Sequence, residues 1–216
     1  MAAGIVRSSK TVPGEKLSGE ITAYQLLAAD NYAEAITVRQ FDLAPAALLQ
    51  LHEQEHDLYF YILAGSGTAV VDQSPPATLS EGSAIFVLPN EKLEITADST
   101  LHLIAIYLPA PVTPWAKELE KPTSPSDRIF ATQLGAASAQ AATGDRQFEV
   151  LFDLKSGSRG ATLFVGFIPS SGAPQHYHLY DEACIIVRGT GALVTSDSNG
   201  NEISQPLEKG STFYIT

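Results

Sequence analysis

The chain has 216 residues, enough to bury the core of one large domain or two small ones. Thirteen Lys and Arg against 24 Asp and Glu leave a net charge of −11, with no basic cluster, which excludes nucleic acid and anionic membrane as partners. MAAGIVRSSK lacks the apolar core of a signal peptide, and no run approaches the ~20 apolar residues of a membrane span, so a soluble, cytoplasmic protein is expected.

Residues 1–21, containing PGEKLSG, read as an N-terminal arm. Short runs rich in Val, Ile, Phe and Tyr follow: AITVRQFDL (35–43), LYFYILAG (58–65), SAIFVLP (83–89), LEITA (93–97) and LHLIAIYLP (101–109). Bounded by Gly, Pro, Asn and Asp, such runs predict β-strands. HLIAIYL alternates with period two; a lone strand histidine such as His102 either faces an interior or plays a structural role. PVTPWAKELEKPTSPSDR (111–128) has the prolines and mixed charge of a linker, with a short helix expected over 115–121 and Trp115 packing back. AASAQAA (136–142) reads as a second helix. FEVLFDL (148–154), ATLFVGFIP (161–169) and EACIIVRG (182–189) are again strands. The sole cysteine, Cys184, lies in the last of these; it can form no intrachain disulfide and reads as a small buried hydrophobe.

The runs repeat. At an offset of 124, His52 falls on His176, Pro45 on Pro169, Asp57 on Asp181, and Gly65 and Gly67 on Gly189 and Gly191. At 128, LSEGSAIFVL falls on LEKGSTFYIT, and the four extra residues fit SDSNGNEI, a longer hairpin around Asn199-Gly200. Two tandem β-units follow.

Within HYHLYDEACIIVRG (176–189), His176 and His178 share one strand face, and a reversal through LYD brings Glu182 beside them. Two neutral imidazoles and a carboxylate, with open positions, suit Fe(II) and also Mn, Ni, Co or Zn. The rival reading is a polar strand end with solvated histidines. Tyr177 points away by parity, while Tyr180 and Arg188 are candidate substrate contacts. No phosphate-loop, dinucleotide or serine-hydrolase motif occurs.

The order H-x-H-x3-E-x6-G, at His176, His178, Glu182 and Gly189, resembles the first motif of the cupin superfamily, and the doubling makes the chain similar to a bicupin over roughly 22–216. The resemblance implies two double-stranded β-helix (jelly-roll) barrels: domain 1 over 22–110, the linker 111–128, and a partial domain 2 over 129–216. It also implies one divalent metal (Fe(II), Mn, Ni, Co or Zn) in the C-terminal barrel, completed by a third histidine from a second motif. Gly172 stands three residues before His176 where the family's glycine stands five before. Unit 2 supplies GSTFYIT (210–216) of the second motif but not its proline and histidine, so a truncated second barrel is expected. Unit 1 keeps His52 but has Gln54 and Leu58 at the His178 and Glu182 positions, and Glu94 where the third histidine would stand. A degenerate unit kept for packing is expected there; the alternative is a weak site of His52, Gln54 and Glu94, joined by Glu53 or His56.

By resemblance the chain is a metal-dependent enzyme acting on a small organic molecule, dioxygenase-like in the first reading. The alternatives are a non-redox cupin enzyme, similar to ureidoglycine aminohydrolase or a sugar isomerase, and a non-catalytic binding or storage cupin. Association into homo-oligomers is expected.

Overall fold

The computed structural model describes residues 5–31, 33, 35–109, 128–158, 160–174, 180–197 and 199–215. Nearly every regular element is a strand, as the runs of β-branched and aromatic residues predict. The first ten are β1 (Gly14–Lys16), β2 (Ile21–Leu27), β3 (Thr37–Leu43), β4 (Leu48–His52), β5 (His56–Ala64), β6 (Gly67–Val71), β7 (Ala77–Leu79), β8 (Ser83–Val87), β9 (Lys92–Ala97) and β10 (Leu101–Pro109). The remainder are β11 (Ala131–Gln133), β12 (Gln140–Ala141), β13 (Gln147–Phe152), β14 (Leu163–Phe167), β15 (Glu182–Ile185), β16 (Gly191–Ser196), β17 (Glu202–Leu207) and β18 (Thr212–Ile215).

In unit 1, a seven-stranded sheet in the order β1-β2-β3-β10-β5-β8-β11 faces a four-stranded sheet in the order β4-β9-β6-β7. Alternate residues fill the space between them: Phe41, Leu49, Phe60, Val71 and Ile95 are at most 4% exposed. The opposite face of the larger sheet is equally apolar. Tyr59, Phe86 and Ile104 pack there against Leu151, Phe152, Val165 and Tyr214 of unit 2. This double burial explains why LYFYILA reads as a continuous apolar run rather than an alternating one.

The repeat is reproduced in strand register. Leu58↔Val87, Tyr59↔Phe86, Phe60↔Ile85 and Tyr61↔Ala84 of β5–β8 recur as Glu182↔Ile215, Ala183↔Tyr214, Cys184↔Phe213 and Ile185↔Thr212 of β15–β18. Gly67↔Leu79 of β6–β7 recurs as Gly191↔Leu207 of β16–β17. A third correspondence, not legible in the residues, joins β2–β3 to β13–β14: Ala23↔Phe41 becomes Phe148↔Gly166, and both pairs of strands carry a bulge at the same place. β1 on β2 and β12 on β13 match as well, so Gly14–Lys16, assigned to an arm from sequence, is a paired edge strand.

Each unit also completes the other's sheet. β11, from the start of unit 2, pairs with β8, placing Thr132 opposite Ala84. Near the chain's start, Arg7 makes both backbone hydrogen bonds to Thr212 in β18, at 2.8 and 2.7 Å. Thr212 is the repeat counterpart of Ala84, so the exchange is reciprocal. Glu81 and Lys209, also counterparts, form an ion pair of 2.9 Å across the junction. Two counterparts meet only near an approximate twofold axis.

One further sequence expectation changes, and the structure decides between the two readings of His102 in favour of a structural role. The Ala-rich stretch 136–142 is turn and edge strand, because Gly135 takes φ +93° and the Glu149 carboxylate, 3% exposed, accepts the N–H groups of Gly135 and Ala137. Those bonds hold the segment out of the helical path that alanine propensity favours. His102 faces away from the inner core of unit 1, toward Asp42. The helix expected over 115–121, and Trp115 with it, lies outside the described residues. The hairpin at Asn199-Gly200 forms as read: Gly200 has φ +82°, and Asp197 accepts the backbone N–H of Asn199 and of Asn201 at 2.8 Å each. No described helix is long and apolar enough to cross a membrane.

Candidate metal centre

Glu182 opens β15. Ala183, Ile185 and Val187 of this segment pack on the core shared by the two units, so alternation turns Glu182, Cys184 and Ile186 to the opposite, inner face of unit 2. The register confirms the direction: their counterparts Leu58, Phe60 and Ile62 lie in the inner core of unit 1 at 0–1% exposure. Unit 2 thus presents a carboxylate and a thiol where unit 1 presents leucine and phenylalanine. His176 and His178, the expected imidazole ligands, lie outside the described residues, as does Tyr177. Among the described residues no group of three or more His, Cys, Asp or Glu is placed to hold a metal ion.

Cys184 is half-buried. Burial and the charge and hydrogen bond of Glu182 push its thiol far above the ordinary range, which slows its reaction with thiol reagents without abolishing it. Tyr180 is 62% exposed, and slight desolvation with the neighbouring charges of Glu182 and Cys184 raises its phenol. Arg188 lies at the exposed turn after β15, where its charge acts on Tyr61 of unit 1. A further polar group of unit 2 escaped the sequence reading: the Thr195 hydroxyl on β16 is buried and has no hydrogen-bond partner among the described residues. Its counterpart at the 124 offset is Val71, which the structure places in the inner core of unit 1.

Among the described residues, unit 1 has no equivalent centre on its inner face. His52 and Glu94 sit on the outer face of the smaller sheet, where Gln50 donates to Glu94 at 2.8 Å and the line of residues borders a shallow groove with Lys92. Gln54 is exposed in the turn beyond β4, held by the Glu53 carboxylate, which accepts its backbone N–H at 2.9 Å. Glu53 also lies 3.1 Å from His56, whose ring meets Tyr107 edge-on. Burial raises the Glu53 carboxyl, but the N–H groups of Glu55 and Gln54 and the His56 contact outweigh it and leave it low. Inward at these positions are Leu49, Leu51 and Leu93.

His102 has a different use. Its Nδ1 lies 2.8 Å from Asp42 Oδ1, which also accepts from Gln40 Nε2 at 2.7 Å. The hydrogen bond to Asp42 raises His102 against a smaller desolvation effect. Burial raises Asp42, but its bonds to His102, Gln40 and Tyr24 prevail and lower it. A raised histidine stabilises the fold below its unfolded value of about 6.5 and loses that contribution as pH climbs through the folded value. The lowered Asp42 contributes above about 3.9 and loses it as pH falls through its folded value. The pair therefore helps most between about pH 4 and 6.5. Because His102 is 39% exposed, the effect is at most about 1 kcal/mol. Urea midpoints of the wild type and His102→Ala should differ most at pH 5.5 and converge by pH 9; a constant difference would contradict the pairing.

No protein-family model matches the chain, and no curated protein matches it in sequence. Solved structures do match. An oxalate decarboxylase structure concerned with substrate binding and a reaction-specificity switch aligns over 100% of this chain and 72% of its own, at TM-score 0.72 and 12% identity. A variant of Bacillus subtilis oxalate decarboxylase aligns at TM-score 0.69 and 13% identity with the same coverage. A third structure of that enzyme, studied for its Mn(II) centres, aligns at TM-score 0.71 and 12% identity, again over 100% and 72%. At such identity the likeness is one of fold: the chain has the all-β fold of oxalate decarboxylase, as the repeat and strand pattern predict.

Proposed function

We propose that the chain is a bicupin of two tandem domains, about 22–110 and 129–216, and that its second unit binds one divalent metal through His176, His178 and Glu182. The observation that carries this reading is the inner-face position of Glu182, at the place where unit 1 has Leu58. The donor set of two imidazole nitrogens and one carboxylate oxygen fits Fe(II) or Mn(II), with positions left for other ligands. That one structural neighbour contains Mn(II) supports the same class of ion.

The protein is then a cytoplasmic metal-dependent enzyme acting on a small organic molecule, dioxygenase-like in the first instance. When bound, the metal supplies Lewis acidity or a centre for O2 activation. The chain's own contribution is to hold the ligand set. Ala183, Ile185 and Val187 anchor β15 on the shared core, which fixes the direction of Glu182, and the Cys184 thiol hydrogen-bonds its carboxylate. Unit 1 supplies that anchoring surface and no chemistry.

Metal content of protein loaded with Mn(II) or Fe(II) and desalted tests the reading. About one ion per chain is expected, with at least tenfold weaker binding in His176→Ala and in Glu182→Gln. Wild-type protein that retains no divalent metal, or variants that bind as it does, would overturn it. Oxygen uptake with candidate substrates then separates oxygenase chemistry from non-redox chemistry.

A further inference from the structure

The two units carry different residues at matched inner-face positions, and Glu182 is one of several. In unit 1, Phe41 and Phe60 project from the larger sheet and Val71 from the smaller one, all within one packed core at 0–4% exposure. The register puts Gly166, Cys184 and Thr195 at the same three places in unit 2. Two rings and a valine become a hydrogen, a thiol and a hydroxyl. Among the described residues, a Cβ built on Gly166 would meet nothing closer than the Phe164 ring, at 3.9 Å. Phe148, at the position of Ala23, returns one ring, set edge-on to Phe164 at 6.0 Å.

Polarity changes with volume. A buried hydroxyl with no partner among the described residues is disfavoured unless another group satisfies it, and valine at that position would avoid the problem. Unit 1 shows that this fold accepts valine there. The retained Thr195 hydroxyl and the missing rings have one economical explanation.

We propose that Gly166, Cys184 and Thr195 form the floor of a ligand chamber beside Glu182, in which Thr195 hydrogen-bonds an oxygen of the ligand and Cys184 sets how large its apolar group can be. The metal's role in this chamber rests on the reading given above; the chamber itself does not. Phe148, Ile186 and Phe213 supply apolar walls, and none of these inner positions is Lys or Arg. The ligand class is therefore a compact, oxygen-bearing organic molecule with an apolar flank, not a phosphate ester or another polyanion.

Two substitutions that restore the residues of unit 1, Cys184→Phe and Thr195→Val, test this. The probes are acetohydroxamate and benzohydroxamate, titrated into Co(II)-loaded protein and followed by the visible Co(II) spectrum. Cys184→Phe should weaken benzohydroxamate at least tenfold and leave acetohydroxamate within about twofold. Thr195→Val should weaken both about fivefold. Co(II) stoichiometry should stay unchanged in Thr195→Val, and Cys184→Phe is titrated at a Co(II) concentration that saturates it, since it removes the thiol beside Glu182. Unchanged dissociation constants in both variants, with Co(II) bound, would overturn the chamber. Wild-type protein that takes up no Co(II) would instead sink the metal reading. In that event the sole thiol still decides: in metal-free protein, methyl methanethiosulfonate should outpace the bulkier Ellman reagent at Cys184 at least tenfold more than in the urea-unfolded chain. An equal ratio in the two states would refute a size-limited chamber.

Discussion

Alanine in place of Phe86 is expected to cost about 3–5 kcal/mol, the range for deleting a buried aromatic ring. Phe86 is 0% exposed and stacks on Tyr59 with ring centroids 4.8 Å apart and an interplanar angle of 17°. Phe152 of unit 2 lies 5.8 Å from its centroid, and the Arg128 guanidinium sits over its ring at 5.2 Å. Arg128 is itself held by Glu91, with one hydrogen bond of 2.7 Å, and by the Phe86 carbonyl at 2.9 Å. The ring is thus a junction between the units, and its loss leaves a cavity that neither can close alone. A loss of this size is a large share of a typical stability of about 5–15 kcal/mol. Urea unfolding of Phe86→Ala, followed by near-UV and by far-UV circular dichroism, should shift to much lower urea in both signals together. A shift below about 1 kcal/mol, or one signal moving alone, would show that the units do not share this core.

The same junction explains what the amino-acid sequence disclosed and what it concealed. Strand identity was legible because Val, Ile, Phe and Tyr cluster in runs of strand length, and β5, β8, β9 and β10 fall where those runs lie. The offsets of 124 and 128 were legible because they rest on glycines that the backbone requires: Gly65 and Gly189 have φ +93° and +90°, and Gly82 and Gly210 both have +89°. The correspondence of β2–β3 with β13–β14 was not, since there the units trade volume, Ala23 and Phe41 for Phe148 and Gly166. What is conserved is pairing and a bulge, which side chains do not spell. The reciprocal exchange at Arg7 and β11 is hidden for the same reason, being made of backbone hydrogen bonds. Glu182 drew notice in the residues through its spacing from two histidines, and the register sets it at the inner-face position of Leu58. Thr195 drew none, although the 124 offset sets it on Val71, because the residues alone do not show that Val71 is core or that the hydroxyl is buried.

The pair Gly65 and Gly189 separates backbone strain from crowding, and alanine at each should have unequal effects. Both positions need positive φ, a conformation that costs a non-glycine residue about 1–3 kcal/mol. At Gly65 a Cβ would also stand 2.1 Å from the Thr100 carbonyl oxygen and 2.9 Å from the Leu101 Cα, backbone atoms at the start of β10 that cannot swing aside. At Gly189 the same Cβ would meet nothing within 4 Å among the described residues. Gly189→Ala should therefore lose only the strain, about 1–3 kcal/mol, and remain folded. Gly65→Ala should lose more than about 4 kcal/mol, in the exceptional range for one substitution, and should part β10 from β5 or fail to accumulate as folded protein. Amide hydrogen exchange offers a direct readout: the β10 amides of Gly65→Ala should lose protection, while those of β15 and β18 in Gly189→Ala should keep it. Equal losses in the two variants would mean that the left-handed backbone is the only reason for glycine at both positions. A larger loss at Gly65 ties that glycine to the approach of β10, the strand that covers the inner face of unit 1 with Leu101, Leu103 and Ala105.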